Sequence, residues 1–216
     1  SNTKDNNQYN FFTILIERWF ISGFDKIIAI SNSVKVFYIK NFRLPKNKIK
    51  KIYYGINAKE FNLTTNTKNI LINKYLLPKK KKNEIVIGSV CRLVEQKNIK
   101  LILKALSILK IKNFSFKYYI LGDGPLRSEL LNYTKKLNLT DRVKFLGFSK
   151  NVNLFYNYID IFCLSSNYEG LGLVLLEAMS AKVPIVATNT SAIPEIVGKE
   201  SLLFKKNNHN DLASKL

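Results

Sequence analysis

The stretch DIFCLSSNYEGLGLVLLEAMSAKVPIVAT, Asp160–Thr188, decides how the chain is read. It opens on a short apolar run, DIFCLSS, and passes through a loop. It continues as GLVLLEAMSA with the length and composition of a helix, and closes on a second apolar run, VPIVAT. Short β-branched runs flanking a helix predict a strand–helix–strand unit with parallel strands. Such a crossover is right-handed and covers one face of its sheet. Between its two apolar runs stand two carboxylates, Glu169 and Glu177, with Gly170 and Gly172 beside the first. Buried carboxylates are costly unless they have partners or a use.

The same alternation extends outward from this unit. Upstream run EIVIGSV, NIKLILKALSILK, FKYYILG, PLRSELLNYTKKLNL, RVKFLG and VNLFYNYI; downstream run SAIPEIV and SLLF. Strand and helix patterns in turn predict an α/β domain, a doubly wound, Rossmann-like parallel sheet covering residues 84–216. Nearer the start the spacing predicts a helix over about residues 11–22 and a strand in DKIIAIS. A Ser-capped helix follows in SNSVKVFYIKNF, then a second strand in KIKKIYYGIN ending at Gly55. Two strands are too few for a free-standing domain, so residues 1–57 read as the terminal portion of another α/β domain. Residues 58–83 read as a linker that holds one short helix, Ile70–Leu77. The polar residues 1–10 read as frayed.

The chain has 216 residues and a formal net charge of +20, from 35 Lys and Arg against 15 Asp and Glu. Such a balance suits anionic partners. Lys, Asn, Ile, Tyr and Phe are abundant together, however, and a codon bias toward A and T produces the same excess. The run PKKKKN reads as a solvated linker, and nothing resembles an aromatic-interleaved nucleic-acid motif. Cys91 and Cys163 each lie in an apolar run, as small buried thiols do. The one histidine, His209, sits in a polar tail without carboxylate or thiol companions. A zinc site and a Ser-His-Asp triad are therefore not expected. FFTILIERWFISGF is too short to span a bilayer and is interrupted by Glu17 and Arg18. It reads as an amphipathic helix docked on its own domain, and the chain as cytoplasmic.

Ligands of doubly wound sheets bind beyond the carboxyl ends of the strands. Four loops occupy that edge. In VCRLVEQKN, Arg92 and Lys97 suit a doubly charged group such as a diphosphate, or are two ordinary surface cations. In LGDGPLR, the glycines allow a tight turn and Asp123 can cap, but position 127 is Arg where a dinucleotide fingerprint has Gly. The loop is a well-built turn or the wall of a base pocket. LGFSKN is a third contact loop. In NYEGLGL, Glu169 stands at the tip, and Gly170 and Gly172 let backbone N–H groups approach a ligand at a helix start. Glu177 accepts ligand hydroxyl bonds, as a carboxylate does for ribose, or is an ordinary solvent-facing helix residue. Glu169 likewise answers a ligand or the helix dipole.

These residues carry a family likeness. EGLGLVLLEAM resembles the E-x7-E motif of retaining glycosyltransferases of family four, which adopt the GT-B fold. GSVCRLVEQKNIKLILKAL resembles their G-R-L-x-x-x-K-G segment. YYILGDGPLRSELL, VKFLG and VPIVAT…IPEIV follow in the family's order. DKIIAISNSVKVFYIK and KIKKIYYGINAKEF resemble the last part of the family's first domain. The likeness spans nearly the whole chain and implies a C-terminal, donor-binding GT-B half with a partial N-terminal domain.

The resemblance implies a role for each matching position. Arg92 and Lys97 hold the donor diphosphate and stabilise its charge as the sugar leaves. Glu169 faces the donor sugar. Glu177 binds ribose hydroxyls. The backbone of Gly170, Leu171, Gly172 and Leu173 meets phosphate and sugar, and the loops at Gly122 and Phe148 flank the base. Implied too are a UDP- or GDP-sugar donor, a glycan or lipid-linked acceptor, no metal, no cofactor and a peripheral site on anionic membrane. The rivals are a non-catalytic sugar-nucleotide-binding module and a sugar-nucleotide epimerase of the same plan. The chain departs from the family at Asn98, at Lys182 and at Ser191-Ala192, where glycines are usual. The family's early Gly-rich loop and the histidine near its donor sugar have no counterpart in the sequence, and the likeness stops short of the family's closing helices.

Overall fold

The computed structural model describes residues 11–61, 80–198 and 202–216. The readings made for residues 1–10 and for Ile70–Leu77 lie outside them. The chain divides into two compact units, Ser1–Tyr54 and Gly55–Leu216.

The first unit holds α1 (Phe11–Ser22), β1 (Ile27–Ala29), α2 (Asn32–Phe42) and β2 (Ile49–Lys51). β1 and β2 pair in parallel, Ile27 opposite Ile49. Ser31 caps α2 by accepting from Val34 N at 3.1 Å, the bond its sequence position predicts. Ala29, Phe42, Leu44 and Ile49 form the core, with Ile14, Ile21 and Ile39 packed against it. β2 is shorter than the strand expected to end at Gly55. A strand is only as long as its partner, and β1 offers three residues; the last bond runs from Ile52 N to Ala29 O.

The larger unit begins with a single 3₁₀ turn, Ala58–Phe61, inside the stretch expected as linker; Phe61 is buried there. There follow β3 (Ile85–Val90), α3 (Ile99–Ile111), β4 (Phe116–Leu121), α4 (Arg127–Lys136), β5 (Val143–Gly147) and α5 (Val152–Tyr156). After them come β6 (Ile161–Leu164), α6 (Leu173–Ser180), β7 (Ile185–Thr188), α7 (Ile193–Val197), β8 (Leu202–Phe204) and α8 (His209–Lys215). The six strands run parallel in the order β5-β4-β3-β6-β7-β8. The α/β reading with a parallel sheet holds.

Successive residues of each strand feed opposite faces. Val86 joins a core with Leu154, Phe155, Leu175, Ala178 and Val197, beneath α5, α6 and α7. Its neighbour Ile87 joins the other, with Ile102, Leu106, Leu130 and Leu212, beneath α3, α4 and α8. Right-handed crossovers explain the segregation. The chain steps from β3 to β5 in one direction, returns, and steps from β6 to β8 in the other, so the covering helices change face. The order therefore reverses between β3 and β6. That point is where a doubly wound sheet opens a crevice.

The polar tail around His209 forms a helix that its composition did not suggest. Asn208 accepts from Asp211 N at 2.9 Å, and Leu212 is fully buried against the α3 side of the sheet. No helix among the described residues is long and apolar enough to cross a membrane.

Candidate functional site

The loops after β3 and β6 flank the reversal point, and they carry Arg92, Lys97 and Glu169. After β3 the backbone passes Arg92 and turns through a 3₁₀ helix, Glu95–Lys97, before α3. After β6 it runs through Ser165–Gly172 into α6. Lys97 Nζ donates to Glu169 Oε1 at 2.5 Å across this gap. Ser166 Oγ donates to the same oxygen at 2.6 Å. The pair is largely withdrawn from water, with 16% and 8% of the two side chains exposed. Two charges so placed hold each other far more firmly than a surface pair does. Arg92 stands apart. It is exposed, and among the described residues its guanidinium has no ion-pair partner.

Backbone and side-chain bonds stitch the neighbouring loops into one edge. Asn167 N donates to Gln96 O at 2.8 Å, Gln96 Nε2 to Tyr168 O at 2.9 Å, and Ser165 Oγ to Lys97 O at 2.8 Å. Thr190 Oγ1, beyond β7, donates to Asn167 O at 3.3 Å. On the other side, Leu93 N donates to Asp123 O at 3.0 Å and Gly122 N to Gly147 O at 2.8 Å. The glycines of LGDGPLR make that approach possible. A Cβ on Gly122, whose φ is +139°, would stand 1.9 Å from Cys91 O. Asp123 turns its carboxylate to Gly124 N at 2.8 Å. The turn reading of this loop accounts for both glycines.

Gly172 has φ +85° and opens α6 in the left-handed region, which explains a glycine there. A Cβ on it would lie 3.8 Å from Glu169 Cγ, so the start of α6 and the Lys97–Glu169 pair share one locality. Leu171 is buried beneath this turn, and Leu173 is exposed at the first turn of the helix. Phe148, in the loop after β5, is 74% exposed.

Glu177 lies in the second turn of α6 and does not join the Lys97–Glu169 pair. Tyr156 Oη donates to its Oε2 at 2.8 Å. Helical side chains lean toward the N-terminus, so this carboxylate is carried back toward Gly172 and the strand ends. Burial holds the Glu177 carboxyl above the ordinary carboxylate range, and the Tyr156 bond pulls the other way.

Ser166 and Tyr156 were not singled out in the sequence. Ser166 lies three residues before Glu169 in the same loop, and that spacing was a usable signal. Tyr156 reaches Glu177 from another helix, and no local pattern announces it.

The glycines absent at Asn98, Lys182 and Ser191 left their conformation behind. All three residues are left-handed, with φ 45°, 58° and 49°. Asn98 also uses its side chain, donating to Asn167 Oδ1 at 3.2 Å. The thiols of Cys91 and Cys163 are free and buried. Burial pushes Cys91 up to about 12; nearby Lys97 pulls it down and Glu169 pushes it up. Among the described residues no three His, Cys, Asp or Glu side chains gather as a metal site.

The profile of the family "Glycosyl transferases group 1" matches residues 77–216. The chain is 32% identical to the uncharacterized glycosyltransferase MJ1607 of Methanocaldococcus jannaschii, over 81% of this chain and 45% of that one. It is 28% identical to the O-antigen biosynthesis glycosyltransferase WclY of Escherichia coli, over 88% of this chain and 50% of that one. Among solved structures, Anabaena Alr3699/HepE in complex with UDP and glucose superposes with a TM-score of 0.85 at 22% identity, covering 95% of this chain and 56% of that one. S. aureus TarM, in a complex containing UDP, superposes with a TM-score of 0.78 at 21% identity, covering 100% and 40%. These likenesses concern the fold. The chain spans about half the length of the curated relatives it matches.

Proposed function

The chain belongs to the glycosyl transferases of group 1, and on that premise we propose that it supplies the donor-binding half of a retaining hexosyltransferase of family four. The donor is a nucleoside diphosphate sugar, a UDP-sugar in the first instance. The acceptor is a hydroxyl of a growing glycan or lipid-linked glycan, and the reaction runs in the cytoplasm or at the cytoplasmic face of a membrane. One observation carries the reading: a cation and a carboxylate meet where the strand order reverses, Lys97 on Glu169 at 2.5 Å, with the exposed Arg92 in the same loop as Lys97.

The chemistry follows from those groups. Cleaving the bond between sugar and diphosphate leaves negative charge on the departing phosphate. Arg92 and Lys97 answer that charge, and cations set against the departing diphosphate lower the barrier. They supply the positive charge that a metal supplies elsewhere. N–H groups over Gly170–Leu173 face the phosphate and sugar at the positive end of α6. Glu169, held by Lys97 and Ser166, faces the sugar. When diphosphate arrives, Lys97 is drawn toward it and Glu169 becomes available to the sugar hydroxyls. Glu177 receives the ribose, and the loops at Gly122 and Phe148 flank the base. Residues 1–57 belong to the acceptor-side domain in this reading, and 84–216 to the donor domain.

Titration with UDP, GDP and their sugars tests the site, and a transfer assay on the whole protein tests the activity. A folded chain that binds no nucleotide sinks the site assignment. A non-catalytic module that binds sugar nucleotide is the second reading. Binding without transfer or hydrolysis supports it.

A further inference from the structure

Tyr156 is fully buried. Its ring packs against Phe162 and Phe61, with centroids 5.5 Å and 5.9 Å away. A phenol so enclosed has one place to send its hydrogen, and that place is the start of α6. Oη lies 3.1 Å from Val174 O and 2.8 Å from Glu177 Oε2. The carbonyl alone would satisfy the hydroxyl, since a buried tyrosine needs a single acceptor. The carboxylate gains more from the arrangement. Glu177 is the one acid on α6 and is half-withdrawn from water. The charged groups on the elements packed against α6 are Lys59 and Glu60 on the 3₁₀ turn and Glu195 on α7. α5 and β7 add only Tyr156 itself.

We propose that Tyr156 is a positioning residue for Glu177, pinning Oε2 so that Oε1 is presented to the ribose hydroxyls of the nucleotide. The inference rests on the donor reading above and adds a residue to it. The enclosed ring fixes where Oε2 sits, and the lean of α6 side chains directs the carboxylate toward the strand ends. A carboxylate free to rotate would lose part of its bond to the ribose each time it turned to water. The hydroxyl bond also favours the ionised form of a half-buried carboxyl, and an ionised acceptor makes the stronger bond.

The test compares UDP and GDP with their 2′,3′-dideoxy analogues by calorimetric titration, in wild type, Tyr156→Phe, Glu177→Gln and the double variant, with folding checked by circular dichroism. Hydrogen bonds to a charged group are worth roughly tenfold or more in affinity. The wild type is expected to prefer the ribonucleotide by about that factor. In Tyr156→Phe the preference falls to about threefold or less, and the pH at which ribonucleotide binding is half lost moves up. Adding Tyr156→Phe to Glu177→Gln changes little. A 3-fluorotyrosine at position 156 keeps the packing and donates more strongly, so it moves the pH midpoint down. An unchanged preference and midpoint in both position-156 variants, with nucleotide still bound, overturns the positioning role alone. Failure of the wild type to bind either nucleotide overturns the donor reading, and this inference with it.

Discussion

Lys97 Nζ lies 2.5 Å from Glu169 Oε1, and the bond bridges the loops after β3 and β6 where the strand order reverses. The pair spans the crevice that the topology opens. Breaking it by Lys97→Ala leaves a carboxylate that is only 8% exposed, with the Ser166 hydroxyl still donating to it. An uncompensated buried charge costs about 3 kcal/mol. Lys97→Ala is expected to lower the urea midpoint accordingly and to weaken UDP binding. The double variant with Glu169→Gln should recover most of the stability and none of the affinity. Chemical denaturation and titration of the four proteins decide it.

Arg92 is exposed and unpaired among the described residues. Arg92→Ala should therefore leave the melting temperature within experimental error. Its affinity for UDP should fall by about tenfold, the value of one charge-assisted bond, and its affinity for uridine should stay the same. Equal losses for UDP and uridine would remove Arg92 from the phosphate.

Glu177 sets a pH dependence. Its folded carboxyl titrates above the ordinary value because it is buried. In the window between the unfolded value and this raised one, the folded state holds more protons, so stability falls as pH rises through it. Glu177→Gln should flatten that part of the stability profile. UDP binding should change in the opposite sense, strengthening as the carboxyl ionises. Melting curves and titrations from pH 4 to 8 (an assay range chosen at about the carboxylate values) give both.

Lys182 keeps a left-handed backbone, φ 58°, just after α6. A side chain there costs about 1 kcal/mol or more, which glycine does not incur, less what glycine loses in the unfolded chain. Lys182→Gly is expected to stabilise by about 0.5 kcal/mol, read as a small rise in melting temperature. Asn98→Gly, at φ 45°, should not, because it discards the bond to Asn167.

Gly122 has no room for a methyl group. A Cβ would stand 1.9 Å from Cys91 O. Gly122→Ala must part the loops after β3 and β4 or unfold them, at a cost of about 3 kcal/mol or more. It should also move Arg92, so UDP affinity falls with stability. Normal stability in this variant would contradict the packing of the two loops.

Much of the fold was legible because its signals are local. Alternating apolar strands and helices foretold the parallel sheet, and Ser31 announced the cap of α2. α8 was missed because its apolar content is small, Leu212 and Ala213 behind a polar front. β2 was overread because a strand's length is set by its partner. The candidate residues were named loop by loop, and Arg92, Lys97, Glu169 and Glu177 each had an ordinary alternative beside them. The structure joined Lys97 to Glu169 and gave Glu177 to Tyr156 instead.

By itself the sequence determined the order of the elements, the parallel sense of the sheet and the loops in which polar groups stand. Periodicity and capping act over a few residues and are written directly in the chain. The tertiary structure alone decided where the strand order turns back, and hence that the loops after β3 and β6 meet. That reversal depends on how two cores pack on opposite faces, through contacts between residues far apart in the chain. It made a pair of Lys97 and Glu169, and a partner for Glu177 of a tyrosine on another helix.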